Sequence, residues 1–182
     1  PRIVFDENGV CNACHFAEYK KGIDWDARDQ ELRDLCDRYR SSDGSYDCVV
    51  PSSGGKDSSY VAHQLKHEYG MHPLTVTWAP LWYTQIGWQN FEALNWSGFD
   101  TIMGMARGDV QRKLCKHAMV EMGDPFQPFI YGQVLFPLKI AMKFGIKLVF
   151  SGENAEAEYG GDPKAWNSKG HTMDDYDQYW FS

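Results

Sequence analysis

The sequence lacks a long hydrophobic run. No apolar stretch approaches the roughly 18 residues that a helical membrane span requires. No signal peptide is visible behind the first residue, which is proline rather than an initiator methionine. A basic excess is also missing: 18 Lys and Arg stand against 25 Asp and Glu, for a formal net charge of −7. A general grip on nucleic acid needs a basic face, so no nucleic-acid partner is expected, although a local basic patch stays open. The five cysteines are an odd number, which argues against a closed disulfide framework and for a reducing, cytoplasmic compartment. Internal repeats and low-complexity tracts are absent.

What remains is a globular composition. Hydrophobic residues make up 43% of the 182 and charged residues 24%, enough for a domain of ordinary size with its own core. Aromatics reach 15%, with seven Trp and ten Tyr. That enrichment fits either a heavy core or a site that stacks on flat or sugar-like groups.

Residues 1–45 read as an N-terminal appendage. Its "DWDARDQELRDLCDRYR" is an amphipathic helix with Ile23, Trp25, Leu32, Leu35, Cys36 and Tyr39 on one side, closed by the turn signal "SSDG". Residues 46–162 read as an α/β body. "YDCVV", "PLTVTW", "FDTIMGM" and "IKLVFSG" are strand candidates. Between them lie helices over "SSYVAHQLKHEYG", "IGWQNFEALNW", "DVQRKLCKHAMVEMG" (with an Asp cap) and "YGQVLFPLKIAMKFG", which Pro137 bends or starts. The alternation predicts a doubly wound parallel sheet with helices on both faces. Residues 163–182 form a polar, aromatic tail without clear periodicity.

The segment "PSSGGKDSS" sits where the first strand gives way to the first helix of the body. Gly54 and Gly55 permit left-handed turns and close backbone approach. The new helix presents unpaired N–H groups and a partial positive charge. Lys56 adds a point charge, and Ser53 and Ser58 add hydroxyls; together they favour a phosphate group. The pattern is not G-x-x-x-x-G-K-[ST], because the glycines adjoin the lysine and Asp57 follows it. A carboxylate beside a phosphate implies a divalent cation between them, so Mg²⁺ and a pyrophosphate-like group are expected, with Asp57 as a metal ligand. The bland alternative is a glycine-rich connection.

The hexapeptide S-G-G-K-D-S, Ser53 to Ser58, resembles the signature of the PP-loop ATP pyrophosphatases. That superfamily includes GMP synthetase, argininosuccinate synthetase, tRNA thiolases and lysidine synthetase. The resemblance implies an adenine-nucleotide alpha-hydrolase-like fold. It also implies cleavage of ATP to AMP and pyrophosphate, with adenylation of a carbonyl-type oxygen before a nitrogen or sulfur nucleophile enters. "FDENGVCNAC", "HPLTVTWAPLWYTQIGWQNF", "GDPFQPFIYGQ" and "IKLVFSGENAEAEYGG" narrow it further. Together, from Ile3 to about Asp162, they are similar to the N-acetyl sugar amidotransferase family. Those enzymes turn an acetamido group of a bacterial surface sugar into an acetamidino group, in O-antigen, lipopolysaccharide or nonulosonic acid biosynthesis.

On this resemblance Lys56 and Asp57 are the catalytic pair, and Ser53 to Ser58 hold the phosphates of ATP. Thr77, with Trp78 beside it, matches the place where adenosine packs. Gly152, Glu153 and Asn154 match a second nucleotide-contacting segment, at a strand's carboxyl end where open α/β sheets bind ligands. Glu153, Glu156 and Glu158 could hold a metal or receive protons, or simply face solvent at a helix start. Trp82, Tyr83 and Trp88 suit a sugar ring or a base, and suit a core equally. Gln127, in the rigid "GDPFQPF" turn, either walls the acceptor pocket or packs.

Cys11 and Cys14 have metal-ligand spacing but are half of a tetrahedral zinc site. The family carries a second cysteine pair ahead of a Pro-Arg step, and this chain begins at Pro1-Arg2, so the resemblance implies Zn²⁺ completed by upstream cysteines. His15 is an awkward third ligand. The family's chains also run further at the other end. Cys36 and Cys48 read as core. Cys115 and His117 read as helix residues, although tRNA-thiolating relatives of the superfamily use cysteines near the nucleotide. No cysteine sits in a glutaminase-like elbow, and the resemblance implies ammonia from a separate glutaminase and a synthase-like partner. Two other readings stay open: a tRNA-modifying thiolase, and a non-catalytic ATP-binding module.

Overall fold

A computed structural model describes residues 3–153, 163, 166 and 167. Among them six helices and three strands alternate. They are α1 (Asn12–Lys21), α2 (Trp25–Tyr39), β1 (Cys48–Pro51), α3 (Lys56–His67), β2 (Pro73–Trp78), α4 (Gln85–Trp96), β3 (Asp100–Gly104), α5 (Gly108–Met122) and α6 (Gln127–Phe144). The chain divides into two compact units, one of Leu32–Gly152 and one of Pro1–Glu31 with Glu153–Ser182. No helix among the described residues is long and apolar enough to cross a membrane.

In the larger unit the strands run parallel in the order β1-β2-β3. Their residues alternate between two cores. Cys48 and Val50 pack with Ala62, Leu65, Leu94 and Phe99, the layer of α3 and α4, into which Cys36 of α2 also enters. Val49 points the other way, with Leu74 and Val76, against Ile140 and Ala141 of α6. Burial on both faces is what a parallel sheet demands, and it explains why "CVV" and "PLTVTW" read as continuous apolar runs. The architecture is α/β, compatible with a Rossmann-like fold.

The fourth strand candidate shrinks to one bridge, Val49 to Val149 in parallel. Val49 N–H donates to Leu148 O, and Phe150 N–H donates to Val49 O, both at 2.9 Å. This segment lies on the side of β1 away from β2. Pairing through a single residue before the chain turns at Ser151–Gly152 is too short to register as a strand. The order nevertheless reverses at β1, with β2 on one flank and residues 148–150 on the other.

Three further expectations change. Asp109 does not cap α5; Arg107 occupies the N-cap, and Asp109 sits in the first turn, accepting from Arg107 Nε and Nη2 at 2.8 and 2.6 Å. A carboxylate there faces the positive end of the helix, a favourable place without capping. The Arg107 hydrogen bond holds the Asp109 carboxyl below its ordinary range. Pro137 does not start α6, which begins at Gln127 with Pro128 in its first turn; Pro137 lies buried in the helix interior. In the smaller unit α1 arises where no periodicity signals it. Phe16 is its one buried residue, packed on Trp166 with ring centroids 5.1 Å apart.

Asp47, ahead of β1, is 5% exposed. Its carboxylate accepts from Ser41 N–H at 2.5 Å and His72 N–H at 2.7 Å, tying the "SSDG" turn to the start of β2. Asp47→Ala would strand two donors, and each buried unsatisfied group costs about 1–3 kcal/mol. The expected result is a drop of roughly 2–4 kcal/mol in unfolding free energy by urea titration. A change below about 0.5 kcal/mol, the range of an ordinary surface substitution, would show the two bonds to be dispensable.

Candidate functional site

The reversal at β1 sets two strand ends side by side, the arrangement in which open α/β sheets leave a crevice at their carboxyl edge. One rim is the loop Ser52–Gly55, leading into α3. Its root is fixed to β2: Ser52 N–H donates to Val76 O at 2.9 Å, and the buried Thr77 hydroxyl donates to Ser52 O at 2.5 Å. Thr77 is 0% exposed. Its side chain acts on the loop from beneath.

Gly54 has φ +79°, in the left-handed region. A Cβ there would lie 2.7 Å from Phe91 N and 2.8 Å from Asn90 C, both backbone atoms of α4. The backbone that presses on this glycine is therefore α4, a packing demand that the sequence reading assigned to a ligand. Gly55 differs from the expectation. It is the N-cap of α3 at φ −71°, ψ 160°, an extended conformation open to any residue.

Lys56 and Asp57 open α3. Their side chains are 90% and 51% exposed and meet at Nζ–Oδ1 3.4 Å. The Ser52 hydroxyl donates to Ser58 Oγ at 3.3 Å, and the Ser58 hydroxyl donates to Gly55 O at 3.3 Å. The loop is thus closed upon itself by its own serines. The first-turn N–H groups of α3 have no intrahelical acceptor and face the loop. The other rim is the segment after Val149. A Cβ on Gly152 would fall 2.9 Å from Ser58 N and 3.0 Å from Asp57 C. Gly152 therefore runs along the first turn of α3, as close as two backbones come. Glu153 follows it in sequence and is exposed. Asn154, Glu156 and Glu158 lie outside the described residues, as does all of the expected tail except residues 163, 166 and 167.

The aromatic candidates separate. Trp82 is 87% exposed. Tyr83 turns inward and meets the still exposed Trp88 edge to face at 5.3 Å, and Trp88 lies 5.5 Å from Phe91. This group sits behind the stretch of α4 that touches Gly54, so it supports the loop. The Tyr83 hydroxyl is buried with no hydrogen-bond partner among the described residues, and burial pushes its phenol up. Trp78 lies against Phe136 at 5.3 Å. It also lies over Gly132, where a Cβ would come within 2.1 Å of Trp78 Nε1. Together with Tyr131, Leu135 and Lys139 these residues line a recess of about 250 Å³. Gln127 is partly buried at the first turn of α6.

The sequence reading missed Ser52, Phe91 and Gly132. A glycine inside the helical pattern of "FIYGQVL" is a signal of close packing and could have exposed the last.

In the smaller unit Cys11 and Cys14 bring their sulfurs to 3.4 Å, with Cys11 at the N-cap of α1. The Cys14 N–H holds the Cys11 thiol below its ordinary range, while the bond to Cys11 pushes Cys14 up. Two adjoining sulfurs at a helix N-terminus suit a soft or borderline metal. His15 does not join them. Its Nε2 pairs with Asp6 Oδ2 at 2.8 Å, and among the described residues no third His, Cys, Asp or Glu completes a group. Cys115 is partly buried and accepts from Gln111 Nε2 at 3.7 Å, a packing contact on α5. Cys36 and Cys48 are fully buried, and burial pushes the Cys48 thiol up to about 12. No protein-family model matches the chain, and no curated protein matches it.

Proposed function

We propose that this chain is an ATP-dependent amidotransferase of the PP-loop type, acting on the acetamido group of an N-acetylated sugar. The observation that carries the reading is the S-G-G-K-D-S loop. It lies at the carboxyl end of β1, where the strand order reverses, and opens α3 beneath the backbone of Gly152. A helix N-terminus, two loop hydroxyls and a mobile ammonium form an anion site. Asp57 beside them offers a hard oxygen ligand, the donor Mg²⁺ prefers when it accompanies a pyrophosphate. When bound, that ion supplies charge neutralisation at the departing pyrophosphate.

The remaining chemistry belongs to the chain's own groups. Lys56, paired with a half-exposed carboxylate at 3.4 Å, exchanges Asp57 for phosphate oxygens and stabilises charge as the bond between the α- and β-phosphates breaks. The first-turn N–H groups of α3 orient the phosphates. The acetamido oxygen attacks the α-phosphorus and pyrophosphate leaves. Ammonia then adds to the imidate carbon and AMP departs, giving the amidine. Water competes at that carbon, so the acceptor must be bound where water is excluded. The exposed Trp82 and the "GDPFQPF" turn are the groups proposed to cover it. Zn²⁺, where Cys11 and Cys14 hold it with further cysteines, is structural.

The test is turnover. With an acetamido sugar, ATP and Mg²⁺, the protein alone should release pyrophosphate and amidine only when ammonium salt is supplied at alkaline pH, where free ammonia exists. A glutaminase partner should restore activity with glutamine at neutral pH. Mass spectrometry should show a product lighter by the difference between O and NH. A sulfur-containing product, or dependence on tRNA, would replace this reading with a thiolase; ATP binding without turnover would leave a binding module.

A further inference from the structure

His63 and His67 lie one turn apart on α3, with His63 facing Ser97 at the end of α4. Their rings are 5.5 Å apart between centroids and nearly parallel, at 18°. The i, i+4 spacing places two imidazoles on one helix face, the geometry by which helices chelate a transition metal.

His63 is also held in one orientation and one tautomer. Phe99 meets its ring edge to face at 4.9 Å and 87°. Its Nε2 lies 3.3 Å from Ser97 Oγ. The Ser97 hydroxyl has one proton, and it is donated to Leu94 O at 2.6 Å. Ser97 can therefore only accept from His63, which makes Nε2 the protonated nitrogen and leaves the Nδ1 lone pair free. A ligating histidine characteristically donates its other ring N–H to a fixed oxygen. His63 shows that arrangement before any metal is bound.

We propose that His63 and His67 form a second metal site, distinct in its ligands from the phosphate loop, for a borderline divalent cation of the Zn²⁺, Ni²⁺ or Cu²⁺ class. Imidazole suits those ions and suits Mg²⁺ or Ca²⁺ poorly. His63 stays where Ser97 and Phe99 hold it, and the exposed His67 turns about χ1 and χ2, the latter a broad torsion, to aim a nitrogen at an ion on the free Nδ1 of His63. No third His, Cys, Asp or Glu joins them among the described residues, so water fills the other positions. His67 is exposed, so that side of the site is open to solvent; an open recess of about 260 Å³ that His63 shares with Gly54, Ser59, Asn90 and Ser97 lies on the other side of its ring. Such a site is exchangeable, and a bound ion ties together the last two turns of α3, which ends at His67.

Calorimetric titration of the whole protein with Ni²⁺ alone tests this, beside thermal melting with and without the ion. One equivalent beyond any held by Cys11 and Cys14 should bind and raise the melting temperature, as any ligand of the native state does. His67 is exposed, so His67→Ala leaves the core intact. It should weaken binding by roughly tenfold or more, the scale on which metal sites respond even to loss of a supporting hydrogen bond. Ser97→Ala should weaken it less. Cys14→Ser should leave the histidine-bound equivalent unchanged, and the Ni²⁺ spectrum of that variant should lack thiolate charge-transfer bands. Absence of binding, binding unaffected by His67→Ala, or binding lost in Cys14→Ser would each overturn the proposal. None of these outcomes depends on ATP turnover, so the site can fail while the amidotransferase reading stands, or survive its loss.

Discussion

Lys56→Ala is expected to abolish pyrophosphate release and to leave the fold unchanged. The side chain is 90% exposed and its contact is with the carboxylate of Asp57 at 3.4 Å, an exposed pair of the kind worth at most about 1 kcal/mol to stability. Its proposed work is confined to the transition state, where an ammonium compensates the charge that develops on the departing pyrophosphate. Loss of one such preset group costs about 10²–10³ in kcat. A melting curve and a coupled pyrophosphate assay on the same preparation separate the two effects. A variant that folds as before but turns over within a factor of about three of the parent, far short of that cost, removes Lys56 from the chemistry. A variant that fails to fold would contradict the exposure of its side chain. Asp57→Asn should keep the fold and raise the Mg²⁺ concentration needed for activity, because an amide oxygen is a weaker ligand than a carboxylate.

Gly54→Ala destabilises the larger unit by roughly 3 kcal/mol or more, whereas Gly55→Ala next to it does not. The two substitutions are chemically identical and differ only in backbone. At Gly54 a methyl group must accept φ +79° and enter within 2.7 Å of Phe91 N. The left-handed region alone costs about 1–2 kcal/mol for an L-residue, and the atom in the way is backbone, which yields only if α4 moves. At Gly55 the backbone is extended, and the nearest atom to an added Cβ is Ser53 Oγ at 3.4 Å, an ordinary contact. Chemical denaturation of both variants reads the difference. Equal stability would mean that α4 does not press on the loop. Equal and large losses would mean that Gly55 carries a constraint its geometry does not reveal. Because Phe91, Trp88 and Tyr83 form one aromatic group behind that contact, Gly54→Ala should also perturb tryptophan fluorescence in the native state.

The amino-acid sequence by itself determined the helices and the first three strands of the larger unit, though not the fourth strand it also offered, and the place of its loop. "PLTVTW" is β2 to the residue, because β-branched residues bounded by proline and a turn leave a short strand no other option. "IGWQNFEALNW" is α4 to within a residue, and Gly123 and Gly145 end α5 and α6 in left-handed caps. The hexapeptide was legible because its small residues, lysine and aspartate must lie together in the chain to lie together in space.

Only the tertiary structure decided what is distant in sequence. It divided Trp82, left in solvent, from Tyr83, turned inward against Trp88 and Phe91, since one aromatic run contains no record of which ring α4 will cover. It also gave Gly54 to the backbone of Asn90 and Phe91, and Gly152 to that of Asp57 and Ser58. It spent His15 on Asp6 instead of the cysteines, and it fixed the His63 tautomer through a serine 34 residues away. Each of these is a contact between elements. Local propensity says which element a residue enters, whereas the partner it meets follows from strand order and helix packing, which no short stretch of sequence encodes.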